Sequence, residues 1–117
     1  MDFALPYNKF KTLKKMCDRQ KYFLTGYHYQ FTVKDYKLMI QYYLMAIDLA
    51  HSEAMCHLGY YYQTVVKDYK LMLKYYLMAI KLNNAKAMLN LGSYYAHVEK
   101  DYNLMSQYYL MAIKLNN

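Results

Sequence analysis

Apolar and polar positions along the chain recur in a fixed order. The hexapeptide YYLMAI occupies residues 42–47, 75–80 and 108–113, each copy 33 residues after the last. Set in register, the copies read VKDYKLMIQYYLMAIDLAHSEAMCHLGYYYQT (33–64), VKDYKLMLKYYLMAIKLNNAKAMLNLGSYYAH (66–97) and EKDYNLMSQYYLMAIKLNN (99–117). A partial copy precedes them, because FLTGYHYQF (23–31) matches CHLGYYYQT (56–64) in its Gly and in the Tyr three residues later. The unit is therefore a Gly-containing segment followed by a YYLMAI segment. Three such units fill approximately 20–50, 51–83 and 84–117, after a basic segment, 1–19, that leads into the first helix. A fixed period of this length marks units that bury their apolar faces only by stacking on their neighbours.

Both segments read as helices. In the second kind, Asp35, Asp68 and Asp101 are placed to cap the N-terminus, with a carboxylate at the positive end of the helix dipole. The helix then runs about 14 residues with a single narrow stripe toward water, at Lys37, Gln41, Leu44 and Asp48 in the first copy. In the first kind, Met55, Leu58, Gly59 and Tyr62 share a face, as do Met88, Leu91, Gly92 and Tyr95. A Gly inside a helix costs roughly 1 kcal/mol relative to Ala. Its recurrence predicts that Gly26, Gly59 and Gly92, with the small Ala46, Ala79 and Ala112 opposite, mark the tightest packing within each pair. Short turns join the helices at QTVVKD, AHVEKD, LAHSEA and LNNAKA, and Asn83 suits a left-handed C-cap. No alternating run predicts a strand. The pattern predicts an all-α chain, a right-handed α-α superhelix (solenoid) of three helix-turn-helix repeats in one repeat domain, 1–117.

Composition narrows the class. An apolar fraction of 57% with 20% charged residues is that of a folded chain, and 18 Tyr with 10 Met and no Trp supply most of the bulk. The net charge is +7, but Lys9, Lys11, Lys14, Lys15, Arg19 and Lys21 concentrate six positives at the start. That reads as a basic first helix and not as a footprint for nucleic acid spread over the repeats. Cys17 and Cys56 lie in different units with no CxxC spacing, so reduced thiols and a cytoplasmic setting are expected. No apolar run approaches the roughly 18 residues that a membrane span needs.

The stretch AKAMLNLGSYY, followed by VEKDY and then YYLMAIKLNN, resembles the Sel-like repeats, a branch of the tetratricopeptide superfamily, over roughly residues 20–117. Ala87, Leu91, Gly92 and Tyr95 fall on that family's first-helix pattern, Val98 and Asp101 on its loop, and Tyr108, Tyr109 and Ala112 on its second helix. The usual Gly-x-Gly insertion in the loop is missing, which leaves a period of 33, close to the tetratricopeptide length. The Tyr-, Met- and Asn-rich composition is also similar to that of repeat proteins encoded by large DNA viruses, for which the compartment would be the host cytoplasm. The resemblance implies adaptor work on protein or peptide partners, although fold alone does not establish function.

Chemistry is sparse. Ser52, Ser93 and Ser106 lie in no Gly-rich elbow, and Cys56 and His57, adjacent on a helix, point about 100° apart. A buried structural thiol is the expected role of Cys56. His28, His51, His57 and His97 form no i, i+4 pair, so no metal site, cofactor or catalytic group is expected. What remains is a binding face on the first helices, opposite the Gly stripe. It carries Gln20, Leu24, Tyr27 and Phe31 in the first unit, and Glu53, His57, Tyr60 and Thr64 in the second. Lys86, Asn90, Ser93 and His97 stand there in the third. These letters vary while the core letters repeat, as expected of a groove for a protein or peptide. Leu24 and His57 at the places equivalent to Asn90 argue against recognition of an acidic C-terminal tail by a carboxylate clamp. Two further expectations follow: self-association through the apolar last repeat, at Leu110, Met111, Ile113 and Leu115, and, as an alternative function, nucleic-acid binding through Lys9 to Lys21.

Overall fold

The computed structural model describes residues 7–116, and every regular element among them is helical. Six α-helices follow one another: α1 (Tyr7–His28), α2 (Tyr36–Asp48), α3 (Ser52–Tyr61), α4 (Tyr69–Lys81), α5 (Ala85–Tyr94) and α6 (Tyr102–Leu115). The chain divides into two compact units, Met1–Ala54 and Met55–Asn117. In the first, α1 packs along α2; in the second, α4 and α6 flank α5.

The YYLMAI helices start where the aspartates predict. The side chains of Asp35, Asp68 and Asp101 accept hydrogen bonds from the N–H groups of Leu38, Leu71 and Leu104 at 3.2, 3.2 and 3.1 Å. Asn84 caps α5 in the same way, through Ala87 N–H at 3.0 Å. At α3 the cap is a histidine, with Ala54 N–H donating to His51 Nδ1 at 3.2 Å. After α2 and α4 the chain turns through Ala50 (φ 62°) and Asn83 (φ 60°), both left-handed. Asn tolerates that region, whereas the Cβ of Ala50 makes it costly.

The turns within each pair are shorter than the motifs QTVVKD and AHVEKD predict. The helix does not stop at Gln63 or Ala96 but widens into a π-helical turn, over Tyr29–Val33, Tyr62–Val66 and Tyr95–Glu99. A single left-handed lysine then ends it. The N–H groups of Lys34, Lys67 and Lys100 return to the carbonyls of Tyr29, Tyr62 and Tyr95, and those of Asp35, Asp68 and Asp101 reach the same acceptors at 2.8–2.9 Å. These bonds satisfy carbonyls that a helix end leaves open.

The predicted close packing is present. A Cβ built on Gly26 would stand 2.6 Å from the ring of Tyr43; on Gly59, 2.7 Å from Tyr76; on Gly92, 2.7 Å from Tyr109. The second Tyr of each YY pair therefore fills the notch that the Gly opens. The first Tyr of each pair has a different partner. Tyr42, Tyr75 and Tyr108 stack on Tyr29, Tyr62 and Tyr95, with ring centroids 5.7–5.8 Å apart. Ala46, Ala79 and Ala112 are buried, as are Met39 and Met72.

Candidate functional site

The residues expected to face a partner all lie outside the core. On α1 and the π-turn that follows it, Gln20, Leu24, Tyr27 and Phe31 are exposed. Three of these are large and apolar, with 54, 45 and 49% of Leu24, Tyr27 and Phe31 open to solvent. Tyr27 and Phe31 are in contact with each other, at a ring-centroid separation of 4.6 Å. Glu53 is exposed near the start of α3. In the second unit Tyr60, Thr64, Lys86 and His97 are exposed, and His57, Asn90 and Ser93 are half-buried.

Several of these groups are already engaged within the chain. Asn90 Nδ2 donates to Cys56 Sγ at 3.7 Å, and its side chain also hydrogen-bonds the buried Tyr76 hydroxyl. It braces α5 against α3 and α4, a role that its position on the outer face of the helix does not disclose. His97 Nδ1 lies 2.9 Å from the Ser93 carbonyl oxygen, and Thr64 Oγ1 donates to the Tyr60 carbonyl at 2.8 Å. Gln20 Oε1 lies 2.9 Å from His51 Nε2. Because His51 Nδ1 accepts from Ala54, Nε2 carries the proton and donates to Gln20, which fixes the neutral tautomer. Burial holds the His51 imidazole below its ordinary value against the opposing pull of Glu53, and Arg19 adds to the lowering.

No protein-family model, curated protein or solved structure matches the chain. The site must therefore be judged from its own residues. Cys56, the one thiol beside a histidine in sequence, is 2% exposed and held by Asn90, as expected of a packing residue. Among the described residues, no group of three or more His, Cys, Asp and Glu is arranged to hold a metal ion. No described helix is long and apolar enough to cross a membrane.

The basic segment is less uniform than its sequence suggests. Lys11, Lys14, Lys15 and Lys21 are exposed on α1. Arg19 instead turns toward α2 and donates from Nη1 to the Leu49 carbonyl at 3.3 Å, a cation at the negative end of that helix. At the other end of the chain, α6 exposes Leu110, Met111, Ile113 and Leu115.

Two features were missed in the sequence. One is a polar contact inside each of the first two helix pairs: Tyr43 donates to Gln30, and Tyr76 to Gln63 at 2.7 Å. The signal was there, because each Gln stands 13 residues before its Tyr and Ala96 replaces it in the third copy. The other is the length of the exposed stripe on α1, which begins well before Gln20, at Leu13.

Proposed function

We propose that the chain is a non-catalytic helical-repeat module of Sel-like or tetratricopeptide type. Its three helix pairs act as successive units of a right-handed solenoid, and its first helices hold a protein partner in a concave groove. The observation that carries the reading is a division of labour along each first helix. The letters that repeat are the buried ones: Gly26, Gly59 and Gly92, with Tyr43 and Tyr76 against the first two. The letters that vary most are on the outward face, Leu24, His57 and Asn90 at one position and Phe31, Thr64 and His97 at another, while Tyr27 and Tyr60 share a letter that Ser93 replaces in the third unit. There Leu24, Tyr27, Phe31 and Tyr60 leave large apolar surfaces in water. Exposed aromatics of this kind supply much of the energy of protein interfaces.

The test is affinity purification from cells expressing the tagged chain, with quantitative mass spectrometry, comparing wild type with a Tyr27→Ala, Tyr60→Ala and Lys86→Ala variant. Asn90 is left intact because it braces Cys56 and Tyr76. With helical content unchanged by circular dichroism, a partner lost only from the variant supports the reading. A partner retained by the variant, or nucleic acid recovered in its place, overturns it.

A further inference from the structure

The exposed stripe on α1 has a spacing that a general binding face does not require. Leu13, Cys17, Gln20, Leu24, Tyr27 and Phe31 follow one another at intervals of 4, 3, 4, 3 and 4 residues, and all six are exposed. Alternating steps of four and three form the seam along which one helix packs on another. On α1 itself, from Leu13 to Tyr27, the seam is about 21 Å long at 1.5 Å per residue, and Phe31, on the π-turn beyond, lies against Tyr27. Leu13, Cys17 and Leu24 also line a shallow, largely apolar trough on the outside of the helix.

The two flanks differ. On one side Lys14, Lys21 and His28 stand seven residues apart, all exposed. On the other side Phe23 and Gln30 turn into the chain's own core, and Met16, half open to water, borders a second depression with Gln20 and Glu53. Asp18 lies outside the seam but stands four residues after Lys14 and three before Lys21, on the far side of the same edge, where Lys11 and Lys15 outnumber it. A seam with one lysine-bearing edge selects its occupant through charge.

We propose that this seam docks a single amphipathic helix of a protein partner whose apolar stripe is edged with Asp or Glu facing Lys14 and Lys21. The inference rests on the proposed protein-binding function and gives the partner its chemistry. An antiparallel second copy of this chain would set lysine against lysine along this edge, and a parallel one would bring the lysines to the edge where Phe23 and Gln30 are already turned into the core. An anionic membrane has no seven-residue register to match. Gln20 in mid-seam would be costly in lipid, whereas a polar residue there fixes the alignment of two helices.

The probe is a synthetic peptide of about three heptads with Leu on its seam and Glu on both edges, labelled for fluorescence anisotropy and titrated with the full chain. Two controls replace the Glu edges with Lys, or the Leu seam with Ser. The Glu-edged peptide should bind at least roughly tenfold more tightly than the Lys-edged one, with a preference that shrinks as salt is added. Lys14→Glu with Lys21→Glu, both at exposed positions, should reverse that preference, and Leu13→Ser with Leu24→Ser should abolish binding while helical content is retained. Equal affinity for the two leucine-seamed peptides overturns the proposal, as does binding indifferent to Leu13 and Leu24. So does a chain that ignores the peptide but dimerises in sedimentation, or binds phosphatidylserine vesicles, through those same leucines. A cellular partner lost with Tyr27, Tyr60 and Lys86 while the Glu-edged peptide is ignored would leave the protein-binding function standing and remove only this inference.

Discussion

At the scale of single residues, each helix pair is fitted around one aromatic ring. Tyr76 is fully buried, its ring fills the notch at Gly59, and its hydroxyl is tied to Gln63. Gly59→Ala gains helix propensity of roughly 1 kcal/mol, but its Cβ would meet Cδ1 and Cε1 of Tyr76 at 2.7 and 2.8 Å, and the tethered ring has no room to yield. Overpacking of this kind costs about 1–3 kcal/mol, so urea denaturation should give a net loss of stability. The same substitution in a Tyr76→Leu background should cost less, because the facing ring is gone. The third pair lacks the tether, since Ala96 stands where Gln30 and Gln63 stand in the others. Ala96→Gln should restore a hydrogen bond to Tyr109 and stabilise the chain by about 1 kcal/mol, read as a higher urea midpoint at unchanged slope. A fall in the midpoint would mean that the third ring sits differently from the first two.

At the scale of elements, the legible features were those written as periodic apolar letters and as caps. The limits of α2, α4 and α6, the three aspartate caps, the glycine contacts and the left-handed Asn83 follow from residue type and spacing. The π-turns were not legible, because a helix that widens from Tyr62 to Val66 keeps the residues of an ordinary α-turn and changes only which carbonyl each N–H reaches. The left-handed lysines were hidden for a related reason: Lys34, Lys67 and Lys100 adopt a conformation that residue type disfavours, and hydrogen bonds on either side impose it. The start of α3 was hidden too, since a histidine cap looks like any surface histidine. His51 accepts from Ala54, donates to Gln20 and stacks on Phe23 at 4.7 Å, and it does all three only as the neutral imidazole. Its folded-state value lies below the ordinary 6.5, so the unfolded chain binds the proton more readily. The stability it confers is therefore complete above the unfolded value and is lost as pH falls through the folded one. Melting temperature should decline between about pH 7 and pH 5, and His51→Asn, which keeps a capping oxygen, should flatten that decline. An equally steep decline in the variant would assign the effect to other groups.

At the scale of the whole molecule, the core is built from an unusual material. With 18 Tyr and no Trp, phenol rings take the largest fully buried places, at Tyr43 and Tyr76, and every buried hydroxyl must then find an acceptor. Tyr43 and Tyr76 find glutamines, and Tyr94 finds Glu99 at 2.6 Å. Burial raises all three hydroxyls well above the ordinary phenol value, the Tyr27 ring beside Tyr43 and the Glu99 carboxylate beside Tyr94 adding to it. The folded chain thus holds these protons more tightly than the unfolded one. Stability should be fully present below about pH 10, where phenols in an unfolded chain begin to ionise, and should fall as pH rises toward the folded-state values. Tyr43 lies in the first compact unit and the other two in the second, so alkali should loosen both. Phenolate absorbance and far-ultraviolet circular dichroism, followed together during an alkaline titration, should show exposed tyrosines ionising first with helix intact. A further rise in phenolate should then coincide with loss of helix. A single smooth phenolate titration completed before any helix is lost would mean that the buried rings reach water in the native state, and that the Gln30, Gln63 and Glu99 tethers do not hold them.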